Sequence, residues 1–288
     1  MKKKTKVVLT VCIALLLAVG GYLAGFFGLG NQLLPQRSEN ASANRPVPTI
    51  FVHGYGGTPA SSNMLINRVE HDGYGQRAMR ATVSKNGKIT YTGSIKQGQA
   101  HPLVQIIFKD NTQGDYHLAA SWVGKVVNHL HRQYGVTNYN AVAHSYGNNA
   151  VVYYAATHKT HPAKLDKVVN IASDIGMDPE EQKMIKSSRV PADFRQAVRE
   201  MVKDESWFDG NHSPFNGRRM QALNIYGTYR KGTDGTISNY SSRDLRRTYH
   251  GINGTYRELN VKGHLAQHSA LTRYNPQVAQ AVSQFLKE

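Results

Sequence analysis

The chain has 288 residues, with 35 Lys and Arg against 19 Asp and Glu, a formal net charge of +16 and a single cysteine. That length suits one sizeable core rather than several small stapled domains, and one cysteine excludes a disulfide scaffold. The positive balance invites a nucleic-acid reading, but the charges are scattered and no helix-turn-helix, finger or RNA-binding signature accompanies them.

Lys2, Lys3, Lys4 and Lys6 precede an uncharged stretch from Val7 to Gly30. As a helix it would span about 36 Å, enough to cross a bilayer, and lysines before the span keep the N-terminus in the cytoplasm. A cleaved signal peptide has the same basic start. However, this apolar run is longer than a signal core, and the small-x-small site Ala41-Ser42-Ala43 lies well beyond its end. Val11-Cys12 fits a lipoprotein site poorly. The expected organisation is a cytoplasmic tail (1–6), a transmembrane anchor (7–30), a polar stalk (31–45) and an exported domain (46–288). The protein would then be a single-pass protein of the cell membrane with its domain outside; secretion is the alternative. Beyond the four N-terminal lysines, 31 basic residues face 19 acidic ones, so an anionic envelope surface is an expected partner and nucleic acid is not.

Val47 to Val52 is a buried-strand run that ends in His53-Gly54-Tyr55-Gly56-Gly57-Thr58-Pro59, whose glycines let backbone approach a ligand and expose N–H groups. Ser61 to Glu70 reads as a helix. Ala78–Ser84 and Lys88–Thr92 flank Lys85-Asn86-Gly87, where Asn-Gly signals a hairpin. Leu103 to Phe108 is another strand. Asp115 to Tyr134 follows as an amphipathic helix with Leu118, Val123, Val126, Val127 and Leu130 on its apolar stripe.

Tyr139 to Ala143 is a short apolar strand, and Asn148 to Thr157 a helix rich in Ala, Val and Tyr. Between them, Ser145 has small residues two before (Ala143) and two after (Gly147). That is the pattern of a sharp strand-to-helix turn that projects a serine hydroxyl from the sheet; a turn whose serine only caps the helix has the same signature. Lys167–Ala172 is the next strand. Residues 174–220 break the alternation and read as a helical cap insertion, with helices starting at Pro179 and over Ala192–Lys203. Trp207, Phe208 and Phe215 either line a pocket there or pin the insertion to the domain. Ala222–Gly227 and Thr255–Val261 are the last strands, and Pro276–Leu286 closes the chain as an amphipathic helix. Strands alternating with helices predict an α/β fold, a mostly parallel sheet covered on both faces.

With F-V-H-G-Y-G-G-T, A-H-S-Y-G, D-G-T-I-S-N-Y-S-S and Q-H-S-A-L in this order, the stretch from Pro46 to Glu288 resembles the alpha/beta-hydrolases. It is most similar to the membrane-anchored bacterial hydrolases grouped as domain of unknown function 915. Ala143 replaces the usual first glycine of the elbow. The resemblance implies Ser145 as nucleophile, His268 as its base, Asp234 as the acid that orients the base, and the backbone N–H groups of Tyr55 and Tyr146 as an oxyanion hole. It implies a serine esterase or lipase-like enzyme acting on a small-molecule or lipid ester, with no cofactor. His264 and Asp174 are the runner-up base and acid. His53 is expected to support the oxyanion loop, and His144 to serve packing. Acyl transfer to an envelope component, or a non-catalytic binding module on the same fold, are the competing functions.

No metal is expected. Close histidine pairs include His129–His131 and His264–His268, and the latter, although spaced i, i+4, sits in a loop without a glutamate base beside it. The N-terminal reading makes a direct prediction: the mature protein fractionates with membranes and retains its own N-terminus. A soluble form beginning near Asn44 would make the segment a signal peptide.

Overall fold

In a computed structural model of the protein, residues 45–157, 161–175 and 213–288 are described. Among them no helix is long and apolar enough to cross a membrane. The expected tail, anchor and stalk, and the cap helices with Trp207 and Phe208, lie outside these residues.

The described chain runs β1 (Thr49–Val52), α1 (Ala60–His71), β2 (Gln76–Val83), β3 (Ile89–Gly93), β4 (Pro102–Phe108), α2 (Tyr116–Tyr134), β5 (Asn138–His144) and α3 (Tyr146–Thr157). It continues with β6 (Lys164–Ile171), β7 (Gln221–Thr228), α4 (Asn239–Arg243), α5 (Leu245–Thr248), β8 (Tyr256–Lys262), a 3-10 turn (His264–Ala266), α6 (Ala270–Arg273) and α7 (Pro276–Lys287). The eight strands form one sheet in the order β3-β2-β4-β1-β5-β6-β7-β8. All neighbours are parallel except β2 and β3, the hairpin predicted at Asn86-Gly87.

Each central strand feeds two cores, because successive side chains point to opposite faces. Ile50 and Val52 of β1 and Ala141 and Ala143 of β5 join the core beneath α2 and α3, whereas Phe51 and Val142 join the core beneath α1 and α7. Neither face is left to solvent, which explains the near-continuous apolar strands. Helix α2 starts where Asp115 accepts hydrogen bonds from the N–H groups of His117 and Leu118, and stops at Gly135 in the left-handed conformation. Val123, Val126, Val127 and Leu130 are buried as expected, but Leu118 is 41% exposed. It sits in the first turn, whose buried positions are Tyr116, Ala119 and Ala120, and it shares the outward face of the helix with the exposed Ser121 and Lys125.

Phe215 answers one of the two readings of the insertion's aromatics. It is fully buried and stacks on Tyr249 at 5.3 Å, under the Arg218 guanidinium, so it pins its segment to the core, and it also lines a cavity at the amino edge of β5, β6 and β7.

Strands β1 and β5 are neighbours, yet their following helices cover opposite faces of the sheet. The carboxyl ends of these two strands therefore open a crevice, where ligands bind in folds of this kind.

Candidate active site

Ser145 follows β5 directly and adopts φ +52°, one of two non-glycine residues with positive φ among those described. A left-handed serine costs about 1–2 kcal/mol, so neighbouring contacts must hold it. Its N–H donates to the carbonyl of Ile171 at 2.9 Å. The Asn148 amide donates to the carbonyls of both Ser145 (2.9 Å) and Ile171 (3.0 Å). Asn148 in turn accepts from Asn170 at 3.0 Å, and Asn170 accepts from the buried Tyr249 hydroxyl at 2.9 Å. This polar chain braces the turn from below.

The small residues around the elbow have a steric cause. A Cβ on Gly147 would lie 2.7 Å from the His53 carbonyl oxygen, and one on Gly54 would lie 2.8 Å from the Ser145 Cβ. The loop after β1 and the elbow after β5 thus press against each other where side chains would keep them apart.

Three side chains predicted from separate loops meet here. His268 Nε2 lies 3.0 Å from Ser145 Oγ, and His268 Nδ1 lies 2.7 Å from Asp234 Oδ2. The Asp234 carboxylate accepts, so Nδ1 carries the ring proton and Nε2 is free to accept from the serine hydroxyl. All three are at least nine-tenths buried. The second Asp234 oxygen accepts the N–H groups of Thr236 (2.8 Å) and Ile237 (2.7 Å), which fixes the carboxylate. The His268 N–H also donates to the Asp234 carbonyl at 3.0 Å, tying the two loops together twice. Gly227, at the end of β7, lets the His268 loop come close, since a Cβ there would overlap the Ala266 carbonyl.

The runner-up residues lie elsewhere. His264 is exposed, with its ring 5.9 Å from that of Tyr229, and the partners of the His268 ring are Ser145 and Asp234 rather than Asp174. Asp174 acts electrostatically on Tyr146 instead. Among the described residues, no group of three His, Cys, Asp or Glu side chains converges that could hold a metal ion. A cavity of about 560 Å³ lies at the opposite, amino edge of β5, β6 and β7, lined by Tyr139, Leu165, Phe215 and Arg218 among others. It is remote from Ser145.

Two histidines flank this arrangement. His53 is 2% exposed. Its Nδ1 donates to the Gly54 carbonyl at 2.8 Å, and its Nε2 accepts the Phe108 N–H at 3.0 Å. The Gly54 carbonyl and the Tyr55 N–H belong to one planar trans peptide, so holding the oxygen on one side directs the N–H to the other. Neither the Tyr55 nor the Tyr146 N–H is hydrogen-bonded among the described residues. His144 donates from Nε2 to the His268 carbonyl at 3.1 Å, its ring 4.7 Å from that of His268. It therefore positions the His268 loop, a role beyond the expected packing. Burial, then the neighbouring His268, pulls the His144 pKa down to about 3; burial also lowers that of His53.

The signal for the supporting network was present in the chain. Asn148 and Asn170 interrupt otherwise apolar buried runs, and a buried amide must find partners.

These neutral imidazoles make stability pH-dependent. Their folded pKa values lie below the unfolded value near 6.5, so the unfolded chain binds protons that the folded chain refuses. Stability is full above about pH 6.5 and falls as pH drops toward 3, by at most about 1.4 kcal/mol per pH unit for each such ring. Denaturant titrations between pH 7 and 4 should show this slope, and His144→Gln should make it shallower.

The family model described as alpha/beta hydrolase of unknown function (DUF915) matches residues 36–288. A gene product of Listeria innocua has a similar structure, with a TM-score of 0.68 at 23% identity over 84% of this chain and 94% of that one. A protein of Lactobacillus plantarum WCFS1 assigned as a cell surface hydrolase gives 0.63 at 19% identity, over 84% and 90%. No curated protein matches the chain in sequence. The crevice at β1 and β5, the serine at the elbow and the family match agree: this chain is a member of the DUF915 alpha/beta hydrolases.

Proposed function

We propose that the protein is a serine esterase of the cell surface, in which Ser145, His268 and Asp234 form a catalytic triad. The observation that carries this reading is the continuous hydrogen-bonded chain from Ser145 Oγ through both nitrogens of His268 to a fixed Asp234 carboxylate. A serine hydroxyl is a weak nucleophile at neutral pH. It attacks an ester carbonyl as His268 Nε2 takes its proton, and Asp234 stabilises the resulting imidazolium. The carbonyl oxygen becomes an oxyanion, for which the unengaged N–H groups of Tyr146 and Tyr55 are suitable donors. The tetrahedral adduct collapses to an acyl-enzyme as the imidazolium protonates the departing alkoxide. Water then enters with His268 as base, releases the acid and restores Ser145.

The ester preference is inferred from the carbonyl chemistry alone. Placement outside the cell rests on the lysines before the Val7–Gly30 span and on the long uncharged span itself. In this reading residues 7–30 anchor the chain, and 46–288 act at the outer surface.

A fluorophosphonate should label the wild-type chain at Ser145 and leave Ser145→Ala unlabelled with an unchanged circular dichroism spectrum. His268→Ala should lower ester turnover by about a thousandfold or more, close to the loss in Ser145→Ala, because the members act as one unit. Label mapped to another serine would reject the nucleophile.

His53 gives a separate expectation. If it aims the Tyr55 N–H at the oxyanion, His53→Ala should reduce kcat by about ten- to a hundredfold with little change in KM, because the lost interaction forms only in the transition state. A matched rise in KM would mean that the loop binds ground-state substrate instead.

A further inference from the structure

Among the described residues, the large exposed apolar or aromatic side chains are Tyr55, Leu118, Tyr240, Leu265 and Tyr274. Single exposed side chains of this type are ordinary on any surface. Their placement here is not scattered. Tyr55 lies just beyond β1, Leu118 in the first turn of α2 beyond β4, Tyr240 in the first turn of α4 beyond β7, and Leu265 in the 3-10 turn beyond β8. Tyr274 precedes Asn275, whose amide donates to the Leu265 carbonyl at 2.9 Å. All five therefore ring the carboxyl edge of the sheet, around the mouth of the Ser145 site, and the amino edge carries none.

Cations accompany these side chains. Lys109, Arg230, Lys231 and Lys262 are exposed on the carboxyl-edge loops, and none forms an ion pair among the described residues. Among the described residues the carboxylates of this edge are few. Asp110 and Asp174 are half-buried, Asp115 caps α2, and Asp234 holds His268. The amino edge has paired arginines, Arg68 with Asp72, Arg77 with Glu70 and Arg257 with Glu288, beside exposed cations such as Arg132, Lys164 and Arg219, but among the described residues it has no large exposed apolar side chain to go with them.

We propose that the carboxyl edge docks on the headgroup layer of an anionic lipid bilayer, with the active-site mouth facing it. Tyrosine suits this layer, because its ring is apolar and its hydroxyl stays with the polar groups. Leu118 and Leu265 add apolar area that a purely polyanionic partner would leave unmatched. The unpaired lysines and arginines are drawn to acidic headgroups. Charge complementarity selects the bilayer over a neutral partner surface. Docking deepens the proposed function, since it makes the substrate an ester carried in or at the bilayer. Docking itself requires no catalysis, so it can be tested without relying on that reading.

The test uses the full chain with Cys12→Ala, so that an introduced cysteine is the only thiol. A polarity-sensitive fluorophore is attached at Leu265→Cys or Tyr240→Cys, and, as a control, at His71→Cys, an exposed position at the end of α1 on the amino edge. Each protein is reconstituted through its N-terminal span into phosphatidylcholine vesicles that contain phosphatidylglycerol and a lipid-borne quencher near the headgroups. The labels at 265 and 240 should lose about half of their emission while that at 71 is nearly unchanged. Lys231→Glu and Lys262→Glu should each reduce the quenching at position 265 severalfold, as should removal of phosphatidylglycerol. Equal quenching at 265 and 71, or quenching indifferent to these charges, would overturn the proposal. Shielding of the 265 label without vesicles that grows with protein concentration would also overturn it, and would make a second copy of the chain the occupant. Fluorophosphonate labelling of the same samples reports the catalytic reading separately: docking can fail while Ser145 still labels, and the converse.

Discussion

The backbone of one residue sets the terms for the rest of this site. Ser145 is held in the left-handed region between a strand and a helix, a conformation that local sequence alone would not stabilise. Its stability comes from long-range partners. The Ile171 carbonyl of the next strand accepts both the Ser145 N–H and the Asn148 amide, and the Asn170–Tyr249 pair holds Asn148 from below. The bracing elements are regular parts of the sheet, so the hydroxyl is carried on a rigid support.

The same crowding governs the first loop. Gly54 and Gly147 are glycines because backbone from β1 and Cβ from the elbow occupy the space a side chain would need. That close approach lets the His53–Gly54–Tyr55 segment sit beside Ser145 with an unengaged N–H. His53, bonded to the carbonyl of the Gly54–Tyr55 peptide, controls which way that peptide faces. On the other flank, His144 links the elbow to the loop of the proposed base. Three histidines with different duties thus lie within a few residues of the hydroxyl. Burial favours the neutral form of both supporting rings, which lets His53 accept at one nitrogen while it donates from the other and adds no charge beside His268.

The two edges of the sheet are chemically unlike. At the carboxyl edge, unpaired cations and exposed Tyr and Leu surround the mouth of the site. At the amino edge, among the described residues, cations occur without large exposed apolar side chains, and a separate cavity opens beside Phe215 and Arg218. A parallel sheet generates this polarity by construction, because every strand delivers its following loop to one edge. Composition can then differ between the two edges without touching either core.

Much of this was decided by the chain's local pattern. The apolar runs of β4, β5 and β7, the Asn86-Gly87 hairpin, the capped stripe of α2 and the small-x-Ser-x-Gly elbow are each short-range signals, and short-range signals fix strands, turns and helices. They also ordered the candidate residues as a serine, an acid and a histidine along the chain. What the sequence could not decide was which acid and which histidine. Asp174 and Asp234 both follow core strands, and His264 and His268 share a loop, so spacing leaves either pair open. The choice comes from three-dimensional packing: Gly227 admits the Ala266 carbonyl, which brings His268 rather than His264 over Ser145, and the Thr236 and Ile237 N–H groups turn Asp234 toward it. Leu118 shows the same limit from the other side. Its spacing placed it with the core, but the face of α2 that packs inward is the one that carries Tyr116, Ala119 and Ala120, and only the tertiary arrangement says which face of a helix meets the sheet.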